Sequence, residues 1–320
     1  MIPHRIEKLG AALAREGLDG LIVTEPASRF YLTGWSMFDA QPGENAFWVL
    51  ADGHGSTVLA GQGDVTEARE KARGSRIVPL AGWQPSVKAT QTASLIREAG
   101  YQRVGFDDVH MGAGVYLELR AALGNRVELV PVGELVREIR AIKEPEEIEL
   151  IREAIRITDA AYMAMREWLK PGTTEKEAAW FLNRYMFDHG ADATAFVTIL
   201  GAGEGAVVPH HEPTDYPIEP GEPCWVDFGA VVGGYCADLT RAFCLGEPDE
   251  RLQEAYAAVI AALDAGIAQL KAGTVASVAA NAAAYEIERL GLPVSHVLGH
   301  GIGLQVHELP NVDRGSNIIL

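Results

Sequence analysis

The stretch WVDFGAVVGGYCADLTRAF, residues 225–243, predicts a β-hairpin that carries two acidic side chains on one face. Both flanks alternate and are rich in aromatic and β-branched residues, and Gly233 and Gly234 stand where a tight turn needs glycine. A hairpin centred between Val232 and Gly233 places Asp227 directly opposite Asp238. Like charges at opposed positions, with Cβ atoms about 4.5–5.5 Å apart, are destabilising.

A divalent cation between the two carboxylates would remove this repulsion, because carboxylate oxygens are ordinary ligands of divalent metals. The alternative is a register that slips by one residue, which would turn one aspartate to the solvent face. The hairpin alone leaves both interpretations open.

The histidines add a second kind of metal ligand. Five of the nine histidines lie in two clusters, which comprise His210, His211, His296, His300 and His307. In SHVLGHGIGLQVHE, residues 295–308, glycines surround His300, so the backbone leaves its imidazole unshielded and lets a ligand approach closely. Imidazole combined with carboxylates suits Mn, Fe, Co or Zn.

Composition excludes several classes of partner. The net charge of −17 argues against a nucleic-acid or anionic-membrane binder, since both need clustered basic residues. No apolar run approaches the length of a membrane span, and the N-terminus is a charged amphipathic helix rather than a signal peptide. The three cysteines all lie within residues 224–244, which suggests reduced thiols and a cytoplasmic protein.

The chain has two halves with different patterns. Residues 1–133 alternate short apolar strands (20–24, 47–50, 56–60, 76–80, 103–106, 126–132) with helices (5–16, 88–99, 112–123), which predicts an α/β domain with a substantially parallel sheet. Residues 134–148 form a linker or helix, and Pro145 starts a new helix. Residues 149–320 form the second domain, with predicted helices to about 169 and at 175–190, 249–271 and 275–290, and a strand at 195–200.

The segments PHHEPTDYPIEPGEPCWVDFGAVVGGYCADLTRAF and SHVLGHGIGLQVHE resemble the M24 metallopeptidase family, which includes Xaa-Pro aminopeptidase, prolidase, methionine aminopeptidase and creatinase. The proline-peptidase branch is the most similar. The spacings are specific: 17 residues from His210 to Asp227, 11 from Asp227 to Asp238 and 7 from His300 to His307. The resemblance covers the whole chain and implies a creatinase-like α/β N-terminal domain, which contains YLTG at 31–34, plus an α+β pita-bread catalytic domain.

The resemblance also implies roles for individual residues. Asp227, Asp238 and His300 match metal ligands, with Asp238 bridging two ions. His210 and His307 match catalytic histidines that contact the substrate and stabilise the tetrahedral intermediate, and His296 matches a further substrate-binding histidine. Thr240 and Arg241, in the family's D-x-T-R pattern, would support the ligands without touching the metal.

The implied activity is hydrolysis of the Xaa-Pro bond in short peptides by a dinuclear-metal peptidase. Two divalent ions would generate a nucleophile from water and polarise the scissile carbonyl. Mn is the metal expected, with Co, Zn or Fe as alternatives. The resemblance further implies a homodimer, and neither nucleic acid nor membrane is expected as a partner.

The family's site also uses two glutamate ligands on strands near the C-terminus, and neither is found in this sequence. No glutamate follows Glu308, which matches neither ligand. Chain ends are usually polar, whereas Ile318-Ile319-Leu320 is typical of the start of a strand. We therefore expect the sequence to be an incomplete chain that stops inside its catalytic domain.

Two other functions are compatible with the fold. One is a creatinase-like C–N hydrolase that works without metal, against which the retained Asp227, Asp238 and His300 weigh. The other is a catalytically inactive pita-bread module used for protein binding, which the two missing glutamates favour. Such a module has no evident need for His210, His300 and His307 together.

Overall fold

The computed structural model describes residues 2–36, 47–294 and 296–320, so Ser295, the first residue of the histidine motif, lies outside the described residues. The chain divides into two compact units, Met1–Ile142 and Lys143–Leu320. Within the described ranges, no helix is both long and apolar enough to cross a membrane.

The first unit is a layer of sheet with helices, as predicted for an α/β domain. Its elements in chain order are α1 (Ile2–Glu16), β1 (Gly20–Val23), α2 (Pro26–Thr33), β2 (Trp48–Ala51), β3 (Ser56–Ala60), α3 (Val65–Lys71), β4 (Arg76–Pro79), α4 (Pro85–Ala99), β5 (Arg103–Phe106), α5 (Ala113–Leu123), β6 (Glu128–Pro131) and α6 (Leu135–Ala141). Among the described residues the strands form one sheet in the order β4-β3-β2-β1-β5-β6. The sequence did not predict the short helices α2 and α3.

The sheet is mixed rather than largely parallel. Strands β3 and β4, β1 and β5, and β5 and β6 pair in parallel, whereas β2 pairs antiparallel with both β1 and β3. Only residues 52–55 connect β2 to β3, too few for the crossover that parallel strands require. Asp52 closes this turn, because its Oδ1 accepts hydrogen bonds from the backbone of His54 and Gly55.

Helix α6 is joined to the rest of the first unit by a buried ionic contact with Glu25. Arg140 Nη1 donates to Glu25 Oε2 at 2.8 Å, and Arg137 donates from Nε and Nη2 to Oε1 at 3.0 and 2.8 Å. The side chains of Glu25 and Arg140 are only 4% and 2% exposed. Burial acts to raise the pKa of Glu25, but Arg140, Ser28 and Arg137 together hold it below its usual range. The first unit therefore extends to Ile142, past the predicted limit at residue 133.

The second unit combines helices with three small antiparallel sheets. Its elements are α7 (Pro145–Trp168), α8 (Glu175–Asp188), β7 (Ala193–Thr194), β8 (Ile199–Ala202), β9 (Cys224–Phe228), β10 (Ala230–Val232), β11 (Tyr235–Cys236), β12 (Leu239–Phe243), α9 (Glu250–Ile267), α10 (Ala276–Glu288), β13 (Gly299–Gly301) and β14 (Glu308–Val312). Among the described residues the sheets have the orders β12-β9-β8, β11-β10-β7 and β13-β14. Residues 318–320 are extended and pair with the segment before α10, where Ile319 bridges to Val275.

The core of this unit decides which face of β9 meets solvent. Cys224, Val226 and Phe228 point into a cluster of buried apolar residues contributed by α7, α8 and β8. Side chains on a strand alternate between faces, so Trp225 and Asp227 point the other way and remain partly exposed. Alternation therefore places Asp227 outside the core.

The predicted centre of the hairpin was wrong by one residue. Gly233 and Gly234 both have positive φ, at 57° and 86°, and both lie in the turn, with Val232 paired to Tyr235. Turns with two residues of positive φ favour glycine at both positions. Asp227 consequently pairs with Thr240 and not with Asp238. The partner changes by two residues, so the two aspartates still share a face.

We expect Glu25→Gln to lower the free energy of unfolding of the first unit by about 3 kcal/mol at pH 7, because the buried Arg140 would lose its ion pair with Glu25. Urea denaturation measures this. Glu128→Gln is the control: it breaks the exposed pair with Arg103 and should cost less than about 1 kcal/mol. Because the pKa of Glu25 is lowered, the wild-type advantage should shrink as pH falls through that pKa. Equal losses of unfolding free energy in Glu25→Gln and Glu128→Gln would contradict a stabilising role for the buried contact of Glu25.

Candidate metal centre

A cavity of about 360 Å³ in the second unit brings together four of the eight predicted site residues, His210, Asp227, Asp238 and His307. It is lined by Phe196, Val197, Thr198, Ile199, His210, His211, Glu212, Asp227, Asp238, Val306 and His307. His300 stands beside it, with its ring centroid 4.4 Å from that of His307 and its Nε2 3.4 Å from Asp238 Oδ2. Residues from β9, the β11–β12 connection and the β13–β14 region thus converge.

The two aspartates are in mutual contact and repel each other. Burial and the charge of Asp238 raise the pKa of Asp227 to about 6, against the opposing effects of the Thr240 hydroxyl and of His210. Burial also raises the pKa of Asp238, which His300 opposes. Asp227 Oδ1 is buried and has no hydrogen-bond partner among the described residues. An unpartnered oxygen in a pair of repelling carboxylates, next to an imidazole, fits the donor set of a divalent cation.

The three predicted ligands are neighbours but do not form a closed coordination shell. No group of three His, Cys, Asp or Glu side chains in the described part of the chain lies at metal-binding distance. Their grouping is therefore a feature of the structure, whereas their coordination of a metal stays a prediction.

His307 is presented by a segment that Glu308 holds in place. The Glu308 carboxylate accepts Lys143 Nζ at 3.0 Å and the backbone N–H of Gln305 at 3.1 Å. Both partners of the ion pair are largely buried, with 13% of Lys143 and 5% of Glu308 exposed. A Cβ on Gly303 would overlap this carboxylate. Burial, followed by the proximity of His300, lowers the pKa of His307.

Two predicted residues lie away from the cavity. His296 is exposed, and its Nδ1 lies 2.7 Å from the carbonyl oxygen of the adjacent Val297. Arg241 donates to Asp159 Oδ1 at 3.2 Å. It follows Thr240 on β12 and therefore points to the opposite face. Thr240, by contrast, lies opposite Asp227 in the β9–β12 pair, and its hydroxyl acts to lower the pKa of that carboxyl.

A carboxylate–imidazole pair beside the cavity was not predicted. Glu175, at the start of α8, accepts His211 Nε2 at 2.9 Å, as well as the Thr214 N–H and hydroxyl and the Ala202 N–H. Burial acts to raise the pKa of Glu175, and these hydrogen bonds together lower it. The double histidine and the start of α8 were both visible in the sequence. Their contact was not, because 36 residues separate Glu175 from His211.

Comparison with known proteins identifies the family of both units. Residues 149–320 match metallopeptidase family M24, and residues 5–142 match the creatinase/prolidase N-terminal domain. The uncharacterized peptidase YqhT of Bacillus subtilis is 32% identical over 99% of this chain and 87% of its own length. The Xaa-Pro dipeptidase of Pyrococcus furiosus is 27% identical over 99% of this chain and 87% of its own.

Solved structures agree in fold. The Xaa-Pro dipeptidase from Bacillus anthracis superposes with a TM-score of 0.91 at 30% identity, covering 100% of this chain and 87% of that one. The prolidase from Pyrococcus horikoshii gives a TM-score of 0.88 at 26% identity, covering 99% and 87%.

The chain belongs to metallopeptidase family M24, a family of hydrolases that use divalent metal ions. The predicted architecture of a creatinase-like α/β domain followed by a pita-bread catalytic domain is confirmed.

We expect Asp227→Asn to raise the melting temperature of the metal-free protein at pH 7, because it removes one charge of the repelling pair. The pKa of Asp227 is about 6 in the folded protein against an ordinary value of 3.8, so the cost of ionising it is absent below about pH 4 and complete somewhat above pH 6. The gain in unfolding free energy should be about 1–2 kcal/mol, discounted because the site is partly open to water. Thermal denaturation in EDTA measures it. The control Asp188→Asn, which breaks an exposed ion pair with Arg184, should leave the melting temperature unchanged. A melting temperature of Asp227→Asn below that of wild type would contradict the repulsion between Asp227 and Asp238.

Proposed function

We propose that this protein is a metal-dependent exopeptidase that hydrolyses the Xaa-Pro bond of short peptides. One observation carries the proposal: Asp227 and Asp238 contact each other beside His300, and a buried carboxylate oxygen of Asp227 has no hydrogen-bond partner in the part of the chain that the structure describes. Relatives named Xaa-Pro dipeptidase and prolidase, similar over nearly the whole chain, support the substrate class.

Asp227, Asp238 and His300 would hold the metal. The ions, when bound, would supply a nucleophile from water and polarise the scissile carbonyl. Thr240 lies opposite Asp227, where its hydroxyl favours the ionised carboxylate. His210 and His307 line the cavity, and the lowered pKa of His307 keeps its imidazole neutral at pH 7, able to donate one hydrogen bond to the reacting carbonyl oxygen.

The cavity wall suits a proline ring. Phe196, Val197, Ile199 and Val306 form an apolar surface beside the carboxylates. A pyrrolidine ring is apolar, and its nitrogen carries no N–H once it is in a peptide bond. Its burial against this wall needs no additional hydrogen-bond acceptor.

The finer properties are proposals as well. We propose Mn as the metal, with Co, Zn or Fe as alternatives, because carboxylates combined with imidazole suit these ions. The three cysteines are unbridged, and burial raises the pKa of Cys224 and Cys236 to about 12, which supports a cytoplasmic location. A homodimer rests on the family resemblance alone, and sedimentation velocity would test it.

The two alternative functions have less support. An inactive binding module would have no use for two carboxylates that destabilise each other. A C–N hydrolase that works without metal would equally leave their repulsion uncompensated.

We expect Asp238→Asn to abolish Mn-stimulated hydrolysis of Ala-Pro, lowering kcat/KM by at least about 100-fold, because it removes the shared ligand. The measurement is proline release by EDTA-treated protein titrated with Mn. Metal addition should also raise the melting temperature of wild type but not of Asp238→Asn. The matched control Asp188→Asn should behave as wild type. Activity of Asp238→Asn that survives in metal-free buffer would contradict the proposed function.

A further inference from the structure

The segment between β13 and β14, residues 302–307, brings Val306 and His307 to the substrate cavity. The two flanking strands pair irregularly, because their register shifts between His300 and Gly301. A side chain carried by a loop is held less precisely than one on a regular element, unless contacts from outside the loop fix it. The position of the His307 imidazole therefore depends on what holds this segment.

Glu308, at the end of the segment, is held on two sides. Its Oε2 accepts Lys143 Nζ at 3.0 Å, and its Oε1 accepts the backbone N–H of Gln305 at 3.1 Å. Gly303 packs so closely on this carboxylate that a Cβ there would overlap it. A charge-assisted hydrogen bond that is shielded from water is strong and geometrically specific, so Lys143 determines where the end of the segment lies.

The same short stretch of chain also holds the hairpin that carries the aspartates. Glu147 lies four residues after Lys143, and its Oε1 accepts the hydroxyl of Tyr235 at 2.8 Å. Its Oε2 accepts the backbone N–H of Glu144 at 2.8 Å, which fixes the carboxylate to the start of α7. Glu147 and Tyr235 are both buried. Residues 143–147 thus contact both halves of the candidate site, the hairpin and the segment that carries His307.

A backbone hydrogen bond joins these two halves directly. The N–H of Cys236, on β11 of the hairpin, donates to the carbonyl oxygen of Gly303 at 2.7 Å. Residues 143–147, the hairpin and the His307 segment therefore contact one another pairwise, and three such contacts fix their relative positions. Within the described chain, the cavity lining includes neither Lys143 nor Glu308, so the ion pair acts on the cavity from outside it.

We propose that Lys143 is a positioning residue for catalysis, which acts through Glu308 to hold His307 at the distance from the aspartate pair where its imidazole meets the reacting carbonyl oxygen. This inference rests on the proposed function, because it assumes that His307 acts on a peptide carbonyl. Lys143 and Glu308 do not touch the substrate; they determine where His307 stands.

The test removes the ion pair without leaving a lone buried charge. In the double variant Lys143→Met/Glu308→Gln both charges are lost, and the new amide oxygen can still accept the Gln305 N–H. With Mn added, kcat for Ala-Pro should fall about tenfold with KM nearly unchanged, because a misplaced imidazole weakens an interaction that matters most in the transition state. Gly303→Ala should lower kcat in the same way, because it displaces the Glu308 carboxylate while both charges remain.

A double-mutant cycle with His307 separates positioning from general damage. In a His307→Ala background, the double variant should lower kcat by less than about twofold, since the group through which Lys143 acts is already absent. A merely structural role would lower kcat to the same extent in both backgrounds.

Two further measurements do not depend on turnover. The affinity of the EDTA-treated double variant for Mn, measured by calorimetry, should equal that of wild type, because His307 is not among the proposed ligands. Amide hydrogen exchange of residues 302–308 and of Cys236 should be at least about fivefold faster in the double variant, because the segment is released from Lys143.

Two variants serve as controls. Lys143→Arg keeps a cation within reach of Glu308 and should recover part of the lost kcat. Glu25→Gln breaks a buried ion pair of the first unit and should lower the melting temperature while kcat stays at the wild-type value. If the double variant fails to fold, Gly303→Ala decides the question.

Outcomes for this inference and for the proposed function differ. An unchanged kcat in a folded double variant, an equal loss of kcat in the His307→Ala background, or a weakened affinity for Mn would overturn the role of Lys143 and leave the peptidase intact. A wild type that releases no proline with any of the four metals, while exchange of residues 302–308 still responds to the double variant, would overturn the peptidase and retain Lys143 as the residue that positions His307.

Discussion

Repulsion between Asp227 and Asp238 is the constraint to which the catalytic unit is adapted. The hairpin places two carboxylates on one face, burial removes water from them, and the pKa of Asp227 rises to about 6 as a result. The turn at Gly233 and Gly234 determines the register, and Gly229 allows the strands to approach, since a Cβ there would overlap the carbonyl of Ala237. The folded chain retains this unfavourable pair because, on our proposal, a divalent cation compensates it.

Three buried carboxylates hold the segments around that pair. Glu147 accepts the hydroxyl of Tyr235 in the hairpin at 2.8 Å, Glu308 pairs with Lys143, and Glu175 bonds His211. Glu147 lies in the first turn of α7, Lys143 lies two residues before that helix, and Glu175 begins α8. Each of these segments is thus anchored at or near the start of a helix that packs in the core. This arrangement gives loop residues the precision that a catalytic site requires.

The same organisation explains why some sequence predictions succeeded and others did not. Alternation along β9 and the paired glycines predicted the hairpin and the common face of its aspartates, because both depend on local geometry. The exact register did not follow, since a shift of one residue in the turn centre changes each partner by two. Arg241 matched a sequence pattern, yet its position on the strand turns it toward Asp159.

By itself the sequence determined the α/β and α+β character of the two halves, the family, and the chemical types assembled at the site, because periodicity, turn residues and motif spacing are local properties. Only the tertiary structure decided which of those residues meet. The contacts of Lys143 with Glu308 and of Tyr235 with Glu147 span 165 and 88 residues, and no local pattern encodes them. The same holds for the mixed sheet, for the attachment of α6 through Glu25 and for the hydrogen bond between Glu175 and His211. Burial makes such pairings energetically significant, and burial is defined only once the chain has folded.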